Sequence, residues 1–223
     1  MLDRIAEALA DYHVVLEPDE DTPEWWAGAP SVCRAPDGTF YLACRMREGN
    51  SPRGKRGYEV RILESADGRQ FRPIHRIRRE DAGVPGFERP CLERDPHSGR
   101  YRLYGCAGLE GGWAILRWDD AEHPSEFRAE TARTVLRAEA PDDGYARVVG
   151  YKDPFVFWDG AAWRMFVIGH DRVERTWQFT SADGERWETY QFHYKPTELD
   201  ERPRLVTPLH MPRLDWQMWF AAL

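Results

Sequence analysis

Lysine and asparagine are nearly missing from this sequence: 3 lysines stand against 28 arginines, and Asn50 is the single asparagine. We read that bias as genome composition, not as function. Long apolar runs are missing too. None approaches the roughly 20 residues needed to cross a bilayer, so no membrane partner is expected. The N-terminus MLDRIAEALADYHVV is acidic and lacks the apolar segment of a secretory signal. These features predict a soluble, cytoplasmic protein. A net charge of −7 and a pI near 5.6 exclude the basic face of a nucleic-acid binder. Cysteine is sparse, with Cys33, Cys44, Cys91 and Cys106 only. They form no C-x-x-C pair and no cysteine–histidine cluster of zinc spacing, so no metal site is expected. Each sits in an apolar, strand-like run and reads as a buried free thiol. No G-x-S-x-G elbow, P-loop or dinucleotide-binding glycine loop occurs, and no cofactor is expected.

Aromatic residues are abundant, at 13%, with ten tryptophans in 223 residues. A chain of this length buries a sizeable core. Leu2, Ile5, Ala6, Leu9 and Ala10 fall at helical spacing and predict a short N-terminal helix over 2–12. Residues 17–24 (EPDEDTPE) read as an acidic linker, so residues 1–24 form a lead-in.

From Trp25 onward the period is that of strands. Ser31–Arg34, Phe40–Arg47, Tyr58–Leu63 and Phe71–Ile77 read as four short antiparallel strands. They are joined by turns at Ala35–Gly38 and at Ser65–Gly68, where Asp-Gly supplies the positive φ of a hairpin. The pattern recurs with Pro90–Glu93, Tyr101–Cys106, Trp113–Trp118 and a strand from Phe127. It recurs again with Pro154–Trp158, Trp163–Gly169, Thr176–Thr180 and a strand from Trp187. Pro30, Pro90 and Pro154 open corresponding strands, 60 and 64 residues apart. Ser-Ala-Asp-Gly stands at both Ser65–Gly68 and Ser181–Gly184. Units of about 60 residues with four strands each are the signature of propeller blades. The expected fold is all-β, a β-propeller with blades near 25–80, 86–138 and 149–195. Three blades do not close a ring well, so the chain reads as a fragment, a fusion, or a protomer that self-associates to complete one. The alternative is a β-sandwich with similar hairpins.

Innermost propeller strands line a central channel, and the residues that precede them converge on its mouth. Before each proline stand Ala29, Arg89 and Asp153, and one step earlier Gly28, Glu88 and Lys152. Glu88 and Asp153 are the candidate catalytic carboxylates, since paired acids suit acid–base work on a polar substrate. The competing reading is that these charges pair with one another and fix the blades. Arg45 and Arg47 share one face of their strand and join Arg89, Lys152 and His170 as candidate substrate binders. Trp25 and Trp26, just before the first inner strand, are candidates for stacking on sugar. Most other tryptophans, Trp118, Trp163 and Trp187 among them, read as core.

The string Tyr151–Gly160 (YKDPFVFWDG), followed by Trp163–Phe166, resembles the five-bladed propeller glycosidases of glycoside hydrolase family 43. Ala29–Val32 with Asp37–Leu42 resembles them too, and the likeness covers about 25–187. It implies a poly- or oligosaccharide ligand and three carboxylates: a base opening blade one, an orienting aspartate in mid-chain, and a later glutamate acid. Asp153 matches the middle one. Ala29 stands where the resemblance implies the base, and Glu88 is not at the place of the glutamate. The readings that follow are a glycoside hydrolase with non-standard carboxylates, or a degenerate propeller that binds sugar without cutting it. A second resemblance lies in the proline-rich tail, 188–223. Trp187–Pro196 and Pro212–Leu223 (PRLDWQMWFAAL) resemble the lipase maturation factors, and a fragment related to those is the third reading. The two resemblances meet near Ser181–Trp187, as a fused reading frame would make them do.

Overall fold

The computed structural model describes residues 13–138, 150–170 and 174–189. The helix expected over 2–12 and the tail from 190 lie outside the described residues. Among the described residues twelve strands make three four-stranded antiparallel sheets, each a meander in chain order. The first holds β1 (Trp26–Arg34), β2 (Phe40–Arg47), β3 (Gly57–Ser65) and β4 (Arg72–Arg78). The second holds β5 (Cys91–Arg94), β6 (Tyr101–Leu109), β7 (Gly112–Arg117) and β8 (Arg133–Arg137). The third holds β9 (Tyr151–Trp158), β10 (Trp163–His170), β11 (Glu174–Ser181) and β12 (Glu188–Thr189).

The leading strands β1, β5 and β9 adjoin one another in that order, so the three sheets radiate from a shared centre. Between the first two sheets lies a core of Ala43, Val60, Ile62 and Ile77 against Phe87, Leu92, Leu103, Leu116 and Trp118. Between the second and third lies one of Cys91, Tyr104, Cys106 and Ile115 against Val156, Trp163, Met165, Val167 and Phe179. Trp118 and Trp163 are sealed from solvent, and cutting either back to alanine would cost about 3–5 kcal/mol. On the far face of the first sheet, Val15 and Leu16 pack over Leu42, Cys44, Met46 and Leu63. The acidic lead-in is therefore anchored to the sheet. Asp19 takes two hydrogen bonds from the Arg61 guanidinium at 2.8 and 2.7 Å. That partner holds its carboxyl down at about 2.

Two strands start earlier than their sequence pattern indicates, β1 at Trp26 and β9 at Tyr151, and one device explains both. In β1, Gly28 pairs with Arg45 and Ser31 with Ala43, so Ala29 and Pro30 together face Cys44. In β9, Lys152 pairs with Ile168 and Phe155 with Phe166, so Asp153 and Pro154 together face Val167. Each is a β-bulge, one extra residue that flips the side-chain alternation. A period-2 pattern is thus legible only after it. Proline fits at a bulge because it has no N–H to give to the ladder.

The Ser-Ala-Asp-Gly turns are longer than the tight hairpin expected. Only Gly68 and Gly184 take positive φ, at 71° and 77°; the aspartates do not. Asp67 instead accepts from the N–H groups of Arg69 and Gln70, both at 2.8 Å. Asp183 does the same for Glu185 and Arg186, at 2.8 and 2.9 Å. The strand expected from Phe127 is replaced by two 3-10 turns, Pro124–Glu126 and Ala129–Thr131, with β8 starting only at Arg133. Pro124 favours the first turn, and Phe127 drops into the core.

Candidate functional site

The bulges do more than shift register. Ala29 and Asp153 have φ of 52° and 56°, in the left-handed region, and both precede a proline. That conformation costs a non-glycine residue roughly 1–2 kcal/mol, and bulges beside functional sites re-aim a side chain. The third frame residue, Arg89, is not in this conformation. The lead-in to β5 bulges by other means: Phe87 bridges to Ala107 and the Glu88 N–H donates to the Cys106 carbonyl at 2.9 Å.

Arg45, near the end of β2, is the hub. It is 7% exposed and forms an ion pair with Glu88. Its guanidinium lies 4.6 Å from the Trp26 ring centroid, in cation–π contact. Burial pulls its pKa down to about 10; the Asp153 charge opposes that fall, and Arg47 and Arg89 reinforce it. Arg45 therefore stays charged at neutral pH, paired with Glu88 and within reach of the charges of Asp153, Arg47 and Arg89. Two glycines make the approach possible. A Cβ on Gly57 would stand 1.9 Å from the Phe87 carbonyl oxygen, so only glycine lets the β5 lead-in lie against β3 and carry Glu88 to Arg45. A Cβ on Gly28 would meet the Trp26 ring at 2.0 Å, so that ring folds back over bare backbone.

Asp153 is 8% exposed. Its N–H donates to the Cys106 sulfur at 3.2 Å, which ties the strained bulge to the second sheet. No hydrogen bond or ion pair to its carboxylate forms among the described residues. The other acids at this end are engaged. Glu88 is the counter-ion of Arg45. Glu24 pairs with Arg47 at 3.0 Å and with Arg56. Lys152, expected at the funnel, lies 2.7 Å from Glu174.

The expected residues therefore divide. Arg45, Arg47, Glu88, Arg89, Asp153 and Trp26 gather at one end of the leading strands. Trp26 is already covered by Arg45 and by Arg47, the latter at 5.7 Å. Trp25 packs instead on Tyr58, ring centroids 5.7 Å apart. His170 closes β10 opposite Glu174, and its side chain lies outside the described residues. Two residues were not singled out in advance. Cys106 reads in sequence only as a buried thiol. Glu93, half-buried on β5, has its carboxyl pushed up to about 8 by desolvation; its one signal was an acid directly after the apolar pair Cys91 and Leu92 in an inner strand.

The class is an all-β, propeller-like chain in which Asp153 of β9, Arg89 before β5, and Arg45 and Arg47 of β2 lie at one end of the sheets. Its fold is similar to that of propeller glycosidases. A solved glycoside hydrolase matches with a TM-score of 0.62 at 16% identity, over 86% of this chain and 65% of that one. An exo-β-1,3-galactanase from Clostridium thermocellum matches at 0.56 and 12%, over 79% and 39%. An exo-1,5-α-L-arabinanase from a bovine ruminal metagenomic library matches at 0.53 and 14%, over 78% and 60%. At these identities the likeness is one of fold.

Nearer in sequence, over a shorter stretch, residues 160–223 match the lipase maturation factor C-terminal domain. Lipase maturation factor 2 of Homo sapiens is 58% identical over 43 residues, 19% of this chain and 6% of that protein. Lipase maturation factor 1 of Homo sapiens is 52% identical over 42 residues, 19% and 7%. The chain thus spans under a tenth of the curated relatives it matches. The domain match begins at Gly160 and so takes in β10 to β12 of the third sheet. This match overturns the cytoplasmic location expected from sequence, because lipase maturation factors are membrane proteins of the endoplasmic reticulum. Among the described residues no helix is long and apolar enough to cross a membrane.

Proposed function

We propose that this chain is a carbohydrate-acting propeller that receives a poly- or oligosaccharide at the mouth formed by Asp153, Arg45, Arg47 and Arg89. One observation carries the reading. Asp153 is a buried carboxylate without a partner among the described residues, held in a strained bulge that aims it where the leading strands meet. Strain of this kind persists where the surrounding structure enforces it, and it clusters at ligand sites. The fold shared with glycoside hydrolases supports the same reading.

Binding is better supported than cleavage. Glycoside hydrolysis uses two carboxylates, one to protonate the leaving oxygen and one to activate water or attack. Asp153 is available, whereas Glu88 neutralises Arg45, and the bulge matching that of Asp153 presents Ala29. Calorimetry with arabino-, xylo- and galacto-oligosaccharides, run beside a panel of aryl glycosides, tests both parts. Binding without turnover is the expected result, and no binding by any member overturns the reading. In the same assay Ala29→Asp places a second carboxylate on an identical backbone and is expected to introduce slow hydrolysis.

The match over 160–223 favours a second reading, a segment with a part in lipase maturation. Deleting residues 188–223 would then abolish rescue of a co-expressed lipase while sparing saccharide binding. Unchanged rescue would remove this reading.

A further inference from the structure

We infer that the saccharide taken at this mouth is anionic, its acid group held by Arg89. This rests on the carbohydrate reading above. Among the described residues six arginines have an Nε sealed from solvent that makes no hydrogen bond: Arg45, Arg47, Arg89, Arg100, Arg102 and Arg117. Five of them satisfy the guanidinium through an acidic partner, namely Glu88, Glu24, Glu122, Asp95 and Asp120 respectively. Arg89 has neither an ion pair nor a hydrogen bond among the described residues. A buried guanidinium nitrogen without an acceptor is costly, and an anion is one group that would satisfy it.

Its position points the same way. Arg89 stands in the second repeat where Ala29 and Asp153 stand in the first and third, directly before Pro90. Its charge reaches Arg45, as do those of Arg47 and Asp153. Glu88 pairs with Arg45, and Glu24 is shared between Arg47 and Arg56. Among the described residues at this end, Arg89 and Asp153 are the cation and the anion with no counter-ion in contact. A neutral sugar offers Asp153 the hydroxyl donors it lacks and leaves the Arg89 guanidinium without a counter-charge. A sugar bearing an acid satisfies both: hydroxyls donate to Asp153, and the acid oxygens accept from the planar fork of Arg89 in a charge-assisted pair. A uronate carboxylate and a sugar phosphate ester share this chemistry. The carboxylate matches the fork in two parallel bonds.

Calorimetry on the full chain tests the inference with galacturonic and glucuronic acids, their neutral twins galactose and glucose, glucose 6-phosphate, and inorganic phosphate. An acidic sugar is expected to bind at least about tenfold more tightly than its neutral twin. That advantage should shrink at high ionic strength and vanish in an Arg89→Met variant whose thermal midpoint and circular dichroism match those of the parent. Uronates ahead of glucose 6-phosphate assign a carboxylate, and the reverse order assigns a phosphate ester. Equal affinity for acidic and neutral sugars overturns the inference and leaves the carbohydrate reading intact. So does an acid preference that survives both Arg89→Met and Arg89→Gln. Inorganic phosphate binding as tightly as any sugar acid makes this a simple anion site and also overturns it. Binding of no sugar at all overturns both.

Discussion

The bulges of the first and third sheets are the same piece of backbone with different side chains. Each inserts one residue before a proline, each faces a single residue of the neighbouring strand, and their φ angles are 52° and 56°. One carries Ala29, whose methyl does no chemistry. The other carries Asp153, whose carboxylate is buried without a partner among the described residues. The fold therefore pays for the strained geometry twice and puts an ionisable group on it once. Backbone geometry here belongs to the repeat, whereas the charge belongs to the single position. Likeness of fold to glycosidases does not by itself carry glycosidase activity across.

The largest effect that probes this contrast is on binding. Because alanine already occupies this conformation at position 29, Asp153→Ala should fold normally. We expect a thermal midpoint close to the parent and saccharide affinity reduced about tenfold to a hundredfold. An equally large fall in the midpoint would mean that Asp153 is part of the scaffold.

Next comes the strand on which both bulged strands lean. Burial raises the Glu93 carboxyl on β5 from its ordinary 4.5 to about 8, and its charge is felt by Cys33 on β1 and by Cys91. In the window between those values the folded chain keeps a proton that the unfolded chain has lost. The stability from this group is therefore complete below pH 4.5, declines as pH rises, and is gone above about 8. The slope is at most ~1.4 kcal/mol per pH unit. Urea midpoints from pH 5 to 8 should fall in the parent and flatten in Glu93→Gln.

Smaller still are changes to the strain itself. A β-branched residue is poorly tolerated at positive φ, so Ala29→Val should lose about 1–3 kcal/mol. Ala29→Gly should gain about 0.5–1 kcal/mol, because glycine reaches that region without penalty. Denaturant titrations of the pair, with Asp153→Val beside them, show whether the two bulges store the same strain.

Much of this was legible in the sequence, and the pattern of what was not has physical causes. Pro30, Pro90 and Pro154, with the paired Ser-Ala-Asp-Gly turns, marked three repeats because proline and glycine restrict local backbone whatever surrounds them. Bulges escape such reading, since an extra residue inverts the alternation and makes Trp26–Ala29 and Tyr151–Asp153 look like lead-in. Left-handed Ala29 carried no signal, because alanine has no preference for that region. That Glu88, Arg89 and Asp153 lie at one end of the sheets was legible through the shared frame of Ala29, Arg89 and Asp153, but their pairing was not. Arg45 meets Glu88 only because Gly57 lets two sheets close upon each other, a contact between segments far apart in the chain. Location misled for a different reason: composition reports on bulk solubility, and a short tail matching membrane proteins of the endoplasmic reticulum outweighs it.

The four thiols have a consequence of their own. Cys44 lies beneath Val15 and Leu16, Cys33 between the first and second sheets, and Cys91 and Cys106 between the second and third. All are buried, and burial drives Cys33, Cys44 and Cys91 up to about 12 and Cys106 higher still. Only a thiolate in contact with solvent alkylates at a useful rate. The closed molecule is therefore inert to such reagents, and each seam carries its own timer. Pulse-alkylation followed by peptide mass analysis would read from one sample the order in which the sheets breathe apart.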